Sequence, residues 1–287
     1  MWFVYILISA IFSAASTIFI KLGVRHTDST LATGIKTVVV TVLSWAVVFA
    51  TGLQGELGSI SGRTMLFLVL SGLTTGGSWL CNYGALKLGE VDTMVAVMRC
   101  GMVLAVIFSF IFLRDPFSVM SVVGIAFILA GALLMIDRRS RSSGAPVSKK
   151  WLLLALGEML FASTTTILGK VGITGVNSNL GTALHSVVVL VMTAGLVAVT
   201  GKWRQIPAIP RRELLFIVLS GVASAVTWLT YYRGLQLTMA SIVAPADKLL
   251  SGAAAVVMAY FVFGERLTKR SALALGCVAA GTVCMIL

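Results

Sequence analysis

Four charged residues lie deep inside long apolar stretches of the 287-residue chain: Arg99, Glu158, Asp247 and Lys248. Each is roughly eight to ten residues from the start of its stretch, a depth of about 12 Å in a helix. A charge at the centre of a membrane helix costs at least ~2.5 kcal/mol, so it needs a partner or a function. We interpret the set as a binding site for a polar solute. A structural network of buried ion pairs is the alternative.

The signs of these charges indicate which groups they would bind. Arg99 and Lys248 would bind a carboxylate or a phosphate, whereas Glu158 and Asp247 would bind an amine or carry a coupling proton. Asp247 and Lys248 are neighbours that point about 100° apart on a helix, so each is expected to find a partner elsewhere. Such a site requires no cofactor. The histidines and cysteines form no cluster with metal-ligand spacing, so no metal site is expected.

A proline and three aromatic residues complete the candidate site. Pro245 lies two residues before Asp247 and is predicted to break the helix there, because it removes a backbone hydrogen bond. A packing kink without a ligand role is the alternative. Trp79, Trp228 and Tyr232 are candidate cavity walls that would stack on a substrate or hydrogen-bond to it. The alternative for these aromatic residues, above all for Tyr232 near the end of its stretch, is an interfacial belt.

Membrane-spanning helices must position these residues. Hydrophobic residues make up 58% of the chain and charged residues only 11%, against about 25% charged in a soluble domain. This composition excludes a soluble fold and intrinsic disorder. The stretches do not alternate in hydrophobicity as barrel strands do, and their lengths suit helices that cross a bilayer. Ten spans are predicted: 2–22, 31–51, 65–86, 91–113, 117–136, 151–171, 180–200, 214–235, 239–263 and 271–287.

The second half of the chain repeats the first at an offset of 149 residues, which pairs Ser71-Gly72 with Ser220-Gly221 and Trp79 with Trp228. We therefore predict one five-helix repeat over 1–137, a basic linker loop over 138–150 and a second repeat over 151–287. Because five is odd, the second repeat enters the membrane inverted, an arrangement typical of secondary transporters. A duplicated scaffold without transport is the alternative.

Two short segments carry a family resemblance. Residues 264–268 read Gly-Glu-Arg-Leu-Thr, and residues 243–249 read Val-Ala-Pro-Ala-Asp-Lys-Leu. With the two five-helix halves, they make the chain similar to EamA-type members of the drug/metabolite transporter superfamily over nearly its whole length. The first half departs from this pattern, since Ala96 and Met98 replace the proline and the aspartate. The resemblance implies alternating-access transport, commonly efflux, of amino acids or other small polar metabolites.

The distribution of basic residues predicts the orientation of the helices. The net charge is +12, and most Lys and Arg lie in the loops after helices one, three, five, seven and nine, most densely in the linker loop. The positive-inside rule places these odd-numbered loops in the cytoplasm and both termini outside, in a multi-pass protein of the cell (inner) membrane. The positive charge thus reflects anionic lipid rather than nucleic acid.

Together these observations predict an all-α integral membrane protein with ten transmembrane helices in two inverted five-helix repeats. Its expected function is secondary transport of a small polar metabolite, amino-acid-like or zwitterionic, by efflux. The expected partners are this small-molecule substrate, the lipid bilayer and a coupling proton. An organophosphate or organic-anion exchanger and a non-transporting scaffold remain alternatives. An enzyme is not expected, because no nucleophile–base pair or nucleotide-binding motif is present.

Overall fold

The computed structural model describes residues 1–88, 101–116, 119–135, 149–263 and 269–286. These residues are almost entirely helical, and no β-strand occurs among them. Seven of the described helices are long and apolar enough to span a membrane, and α4, α5 and α10 contain shorter apolar segments. The all-α membrane fold is therefore confirmed. The described helices are α1 (Trp2–Gly23), α2 (Ser29–Ala50), α3 (Gly62–Leu88), α4 (Gly101–Leu113), α5 (Val119–Met135), α6 (Lys149–Gly172), α7 (Ser178–Val199), α8 (Arg211–Leu237), α9 (Ala240–Phe263) and α10 (Lys269–Ile286).

Equivalent residues of the two repeats begin α2 and α7. Asp28 precedes α2, and its side chain accepts hydrogen bonds from the backbone N–H groups of Thr30 and Leu31. Asn177, the equivalent residue at the offset of 149, accepts a bond from the N–H of Asn179. Both caps satisfy donors that a helix start leaves without partners. The helices consequently begin two residues before the apolar stretches from which they were predicted.

A second matched pair of elements lies after α2 and α7. The chain turns through Gly52 and Gly201, whose φ angles of 73° and 67° are in the left-handed region that favours glycine. Each glycine leads into a seven-residue 3₁₀ helix. We call Leu53–Ser59 the first surface turn and Lys202–Ala208 the second surface turn. All residues of both turns are exposed or only half-buried.

One compact unit contains the described residues of 1–73, 168–237 and 250–264. In this unit α1 packs on α8, and α2 packs on both α7 and α8. A Cβ atom on Gly72 of α3 would lie 2.6 Å from the Cβ of Val188, and one on Gly221 of α8 would lie 2.6 Å from the Cβ of Val39. The two contacts are equivalent, because the offset of 149 residues relates Gly72 to Gly221 and Val39 to Val188. The repeats therefore pack against each other through equivalent glycine–valine contacts.

The other compact unit contains the described residues of 74–167, 238–249 and 265–287. Within it α5 packs on α10. Met102, Val103 and Val106 of α4 form a buried cluster with Leu249 of α9. The Ser163 hydroxyl of α6 lies 2.8 Å from the carbonyl oxygen of Gly101, at the described start of α4. The helices α4, α6 and α9 are thus held together, and Glu158 lies on α6 while Asp247 and Lys248 lie on α9.

Candidate functional site

Glu158 lies in the middle of α6 and is 4% exposed. Its carboxylate hydrogen-bonds with the side chain of Ser78 on α3 and lies within electrostatic range of Lys248 on α9. The Oε2 atom of the same carboxylate is buried and has no hydrogen-bond partner among the described residues. A buried carboxylate oxygen without a donor is costly. The position can therefore be stabilised by a proton or by a ligand that supplies a donor.

The equivalent place in the first repeat has no charge. Ser9 is equivalent to Glu158, and Thr227 is equivalent to Ser78. These two residues also meet, since the Thr227 hydroxyl lies 3.4 Å from the carbonyl oxygen of Ser9. Ser9 is fully buried. Because the fold accepts a small neutral residue at this place, helix packing alone does not require the carboxylate of Glu158.

Asp247 and Lys248 are adjacent on α9 but have different surroundings. Asp247 is buried, with 3% of its surface exposed, whereas Lys248 is exposed. This difference agrees with the 100° step between neighbours on a helix. The α9 helix is continuous from Ala240 to Phe263 with the buried Pro245 inside it. The chain therefore keeps a helical backbone where we expected a break.

Asp115 fixes the start of α9, a role that the sequence analysis missed. Its Oδ2 atom accepts hydrogen bonds from the Ser241 backbone N–H at 3.1 Å and from the Ser241 hydroxyl at 2.8 Å. A carboxylate at a helix N-terminus also interacts favourably with the helix dipole. Asp115 follows Arg114, a residue in the left-handed region with a φ of 56°. The connection after α4 thus orients the helix that carries Asp247.

A separate polar cluster joins α3, α7 and α8. The Nδ1 atom of His185 lies 3.2 Å from the hydroxyl of Ser71, which lies 3.4 Å from the hydroxyl of Tyr232. The rings of Trp228 and Tyr232 pack on the imidazole, with centroids 5.2 and 5.5 Å from it. All of these side chains except the half-buried Trp228 are buried. The sequence analysis predicted Trp228 and Tyr232 as cavity walls but named neither Ser71 nor His185 as their partner.

Tyr232 and Lys170 both take part in helix packing. Only 1% of Tyr232 is exposed, so its ring does not form part of an interfacial belt. Its hydroxyl lies 3.1 Å from where a Cβ of Gly169 would be, which leaves little space between α6 and α8. The Lys170 ammonium donates a hydrogen bond to the carbonyl oxygen of Leu235. Trp79, the counterpart of Trp228, is half-buried on α3.

A polar cluster at one end of the first unit connects the loop after α1 to α8 and the second surface turn. The Glu213 carboxylate accepts hydrogen bonds from the backbone N–H groups and the side chains of His26 and Thr27. The Lys202 ammonium lies 2.7 Å from both oxygens of Asp28. Partial burial acts to raise the pKa of Asp28, but the bonds from Lys202 and from two backbone N–H groups hold that pKa below its usual range.

Comparison with known proteins identifies the family. The model of the EamA-like transporter family matches residues 1–137 and 149–287, one match in each half of the chain. The chain belongs to the EamA-like transporter family. Membership confirms the resemblance seen in the sequence and indicates a multi-pass membrane transporter rather than an enzyme. It names neither a substrate nor a direction of transport.

Two individual proteins are similar to this EamA-like transporter. A protein of Sinorhizobium sp named "Uncharacterized transporter in cobO 3'region" is 43% identical over 134 residues, which are 47% of this chain and 95% of the relative. A solved structure, titled only "Crystal structure of protein", has a TM-score of 0.75 and 16% identity. This alignment covers 97% of this chain and 94% of the other. At that identity it shows a common fold and nothing more.

The predicted site residues of the EamA-like chain fall into three groups. Glu158 and Lys248 interact electrostatically in one unit, which also contains Pro245, Asp247 and Trp79. Trp228 and Tyr232 contact each other in the other unit. Arg99 lies outside the described residues, as do most of the linker loop and the segment 264–268. Their predicted roles, and the predicted repeat boundaries, stay predictions.

Proposed function

We propose that this EamA-like protein is an alternating-access secondary transporter for a small polar metabolite that carries an amine, most simply an amino-acid-like or zwitterionic compound. In our proposal Glu158 and Asp247 bind the amine or the coupling proton, and Arg99 and Lys248 bind an anionic group of the same substrate. Trp79, Trp228 and Tyr232 contribute aromatic walls. Net movement is outward, as is common in the family that the sequence resembles.

The observation that carries this proposal is the unsatisfied oxygen of Glu158. A buried carboxylate is costly unless both of its oxygens accept hydrogen bonds, and Oε2 accepts none from the described residues. A bound ammonium group or proton would provide a partner. The equivalent residue Ser9 is neutral, so helix packing at this position does not require a carboxylate. A transporter must also release its substrate. A carboxylate that can take a proton in place of the substrate would be stabilised both before and after release.

Reconstituted vesicles can test the proposal. Liposomes that contain the full-length protein are loaded with a labelled solute. Release of the solute is then measured with and without a proton gradient. The panel contains zwitterionic amino acids, simple organic amines and organic phosphates. We expect transport of an amine-containing solute, and roughly a tenfold or larger loss in the Glu158→Gln variant.

Ser9→Ala is the matched control, because it changes the equivalent residue of the first repeat. It should transport like the parent protein. Transport of organic phosphates alone would contradict the proposal that the substrate carries an amine, and it would favour an organophosphate exchanger. Absence of transport for the whole panel, in protein that remains folded, would favour a non-transporting scaffold.

The proposed orientation has both termini outside and the odd-numbered loops in the cytoplasm of a cell (inner) membrane. It is supported by the concentration of Lys and Arg in those loops. The contact between Lys202 and Asp28 joins two of them at one end of the first unit. A fluorescent reporter that matures only in the cytoplasm, fused after Leu287, should remain dark. Bright fluorescence would reverse the assignment.

A further inference from the structure

The second surface turn and its continuation into α8 form a basic, apolar-tipped segment. Residues 201–212 contain four basic residues and no acidic residue. Two large apolar side chains, Trp203 and Ile206, are 54% and 51% exposed. They are three residues apart in a 3₁₀ helix, which has three residues per turn, so they lie on the same face. The segment thus presents an apolar edge beside a group of cations.

The four cations have different surroundings. Lys202 is bound by Asp28, so it attaches the segment to the loop after α1. The Arg204 guanidinium lies 5.5 Å from the centre of the Trp203 ring. Arg211 and Arg212 are exposed in the first turn of α8, where the helix dipole disfavours positive charge. All three arginines are exposed, so core packing does not account for them, and the helix dipole disfavours two of them, Arg211 and Arg212.

The first surface turn provides an internal control. It has the same left-handed glycine and the same seven-residue 3₁₀ helix. At the positions of Trp203, Arg204 and Arg211 it has Gln54, Gly55 and Gly62, and across 52–63 its only charges are Glu56 and Arg63. Because the backbone forms without them, the aromatic residue and the extra arginines are not required by the turn itself.

We propose that the second surface turn, with Arg211 and Arg212, is a binding site for anionic phospholipid. Trp203 and Ile206 enter the interface at the level of the headgroups, where tryptophan is favoured. Arg204, Arg211 and Arg212 bind lipid phosphates, which suit the planar fork of a guanidinium group. Positive charge beside an anionic leaflet adds electrostatic attraction. The transporter is thereby attached to lipid on one of its two faces, independently of what it carries.

Lipid titration of the full-length protein in mild detergent tests this site. Dioctanoyl phosphatidylglycerol, dioctanoyl phosphatidylcholine and inorganic phosphate are the three probes, and bound lipid is counted by native mass spectrometry. We expect the anionic lipid to bind more tightly than the zwitterionic one. The triple variant Arg204→Gln, Arg211→Gln, Arg212→Gln should weaken its binding roughly tenfold or more. A triple Lys variant keeps the charge but not the guanidinium fork, so it should retain only part of the binding.

Arg63→Gln is the matched control, because Arg63 is the counterpart of Arg212 in the first repeat. It should change binding less than about twofold, because the first surface turn contains no aromatic or basic residue that could act together with Arg63, whose guanidinium lies over the Phe67 ring of its own helix. Equal binding of the two lipids by the parent protein would overturn the proposal, as would equal losses in the triple variant and in Arg63→Gln. Competition by inorganic phosphate at the concentration of the lipid would show an anion site instead. If the Gln triple variant does not fold, the single variant Arg204→Gln decides, with an expected loss of several-fold.

Discussion

Gly72 and Gly221 occupy equivalent positions on α3 and α8, and each touches the equivalent valine of the other repeat, Val188 or Val39. The buried acidic residues Glu158 and Asp247 show no such equivalence, although buried hydroxyl residues such as Ser71 and Ser220 do. Glu158 corresponds to Ser9, and Asp247 corresponds to Met98. These glycine contacts restrain helix packing in the same way in both repeats, whereas the two buried acidic residues belong to the second repeat alone. A solute without two-fold symmetry would require such a difference.

The strongest test of this comparison is at Asp247. The Asp247→Asn variant should lose roughly ten- to hundredfold in transport, the value of one hydrogen bond to a charged group. Met98→Ala, at the equivalent position, should lose little. Initial rates in vesicles, normalised to the amount of folded protein, provide the measurement. Equal losses in the two variants would remove the case for an asymmetric site.

Arg99 and Lys248 test a feature that the two repeats share, since each repeat has a cation at this equivalent position. We expect both residues to contribute to the site. Arg99→Gln and Lys248→Gln should each weaken substrate binding by about tenfold while the protein still inserts. Arg99→Lys should restore binding only in part, because an ammonium group cannot reproduce the guanidinium fork. Ligand-dependent thermal shifts give the affinity. If both Gln variants bind the substrate as the parent does, the cations are structural.

The glycine contacts should respond alike in the two repeats. Gly72→Ala and Gly221→Ala each place a Cβ 2.6 Å from a valine Cβ, so each should lower the free energy of unfolding by about 1–3 kcal/mol. Gly195→Ala is the control, because its Cβ would meet nothing within 4 Å and should stabilise α7 by about 0.5–1 kcal/mol. Melting temperatures in one detergent measure all three. A large loss at only one of the two contacts would contradict their equivalence.

The smallest expected effect concerns Asp28, the charged member of the Asp28/Asn177 pair of caps. Asp28→Asn keeps a cap of the kind that Asn177 forms but loses the ion pair with Lys202, at a cost below about 1 kcal/mol. The pKa of Asp28 is lowered in the folded protein, so its contribution is complete above the unfolded value of about 3.9. It disappears as the pH falls through the folded pKa. The difference in melting temperature between variant and parent should therefore be present at pH 7 and vanish in stronger acid; a constant difference would contradict the ion pair.

The fold was predictable because its two main signals, hydropathy and internal repetition, can be read directly from the sequence. Apolar stretches of membrane length located the helices, and the offset of 149 exposed the two repeats. The two surface turns were not predicted, since hydropathy does not report the left-handed glycines Gly52 and Gly201. The early start of α2 was also missed, because Asp28 is a cap and not an apolar residue.

The candidate site was predictable only in its ionisable members. Depth in an apolar stretch identified Glu158 and Asp247, and both are buried. Their surroundings depend on how each helix is rotated about its axis and on which helix lies beside it. The bond between Ser78 and Glu158, and that between Asp115 and Ser241, therefore could not be deduced from spacing along the chain.

The packing of α1 on α8 and of α2 on α7 has a consequence for how the chain is made. Synthesis delivers the first five helices before the residues that cover Gly23 and Val39 exist, because those covering residues are Ile217 and Gly221. Until then, the early helices lie in the bilayer or beside the insertion machinery without the helices that pack on them. The packing of α1 and α2 on α8 therefore forms late, after α8 leaves the ribosome. Protease protection of nascent chains stalled at successive lengths should rise abruptly after α8 and stay low before it.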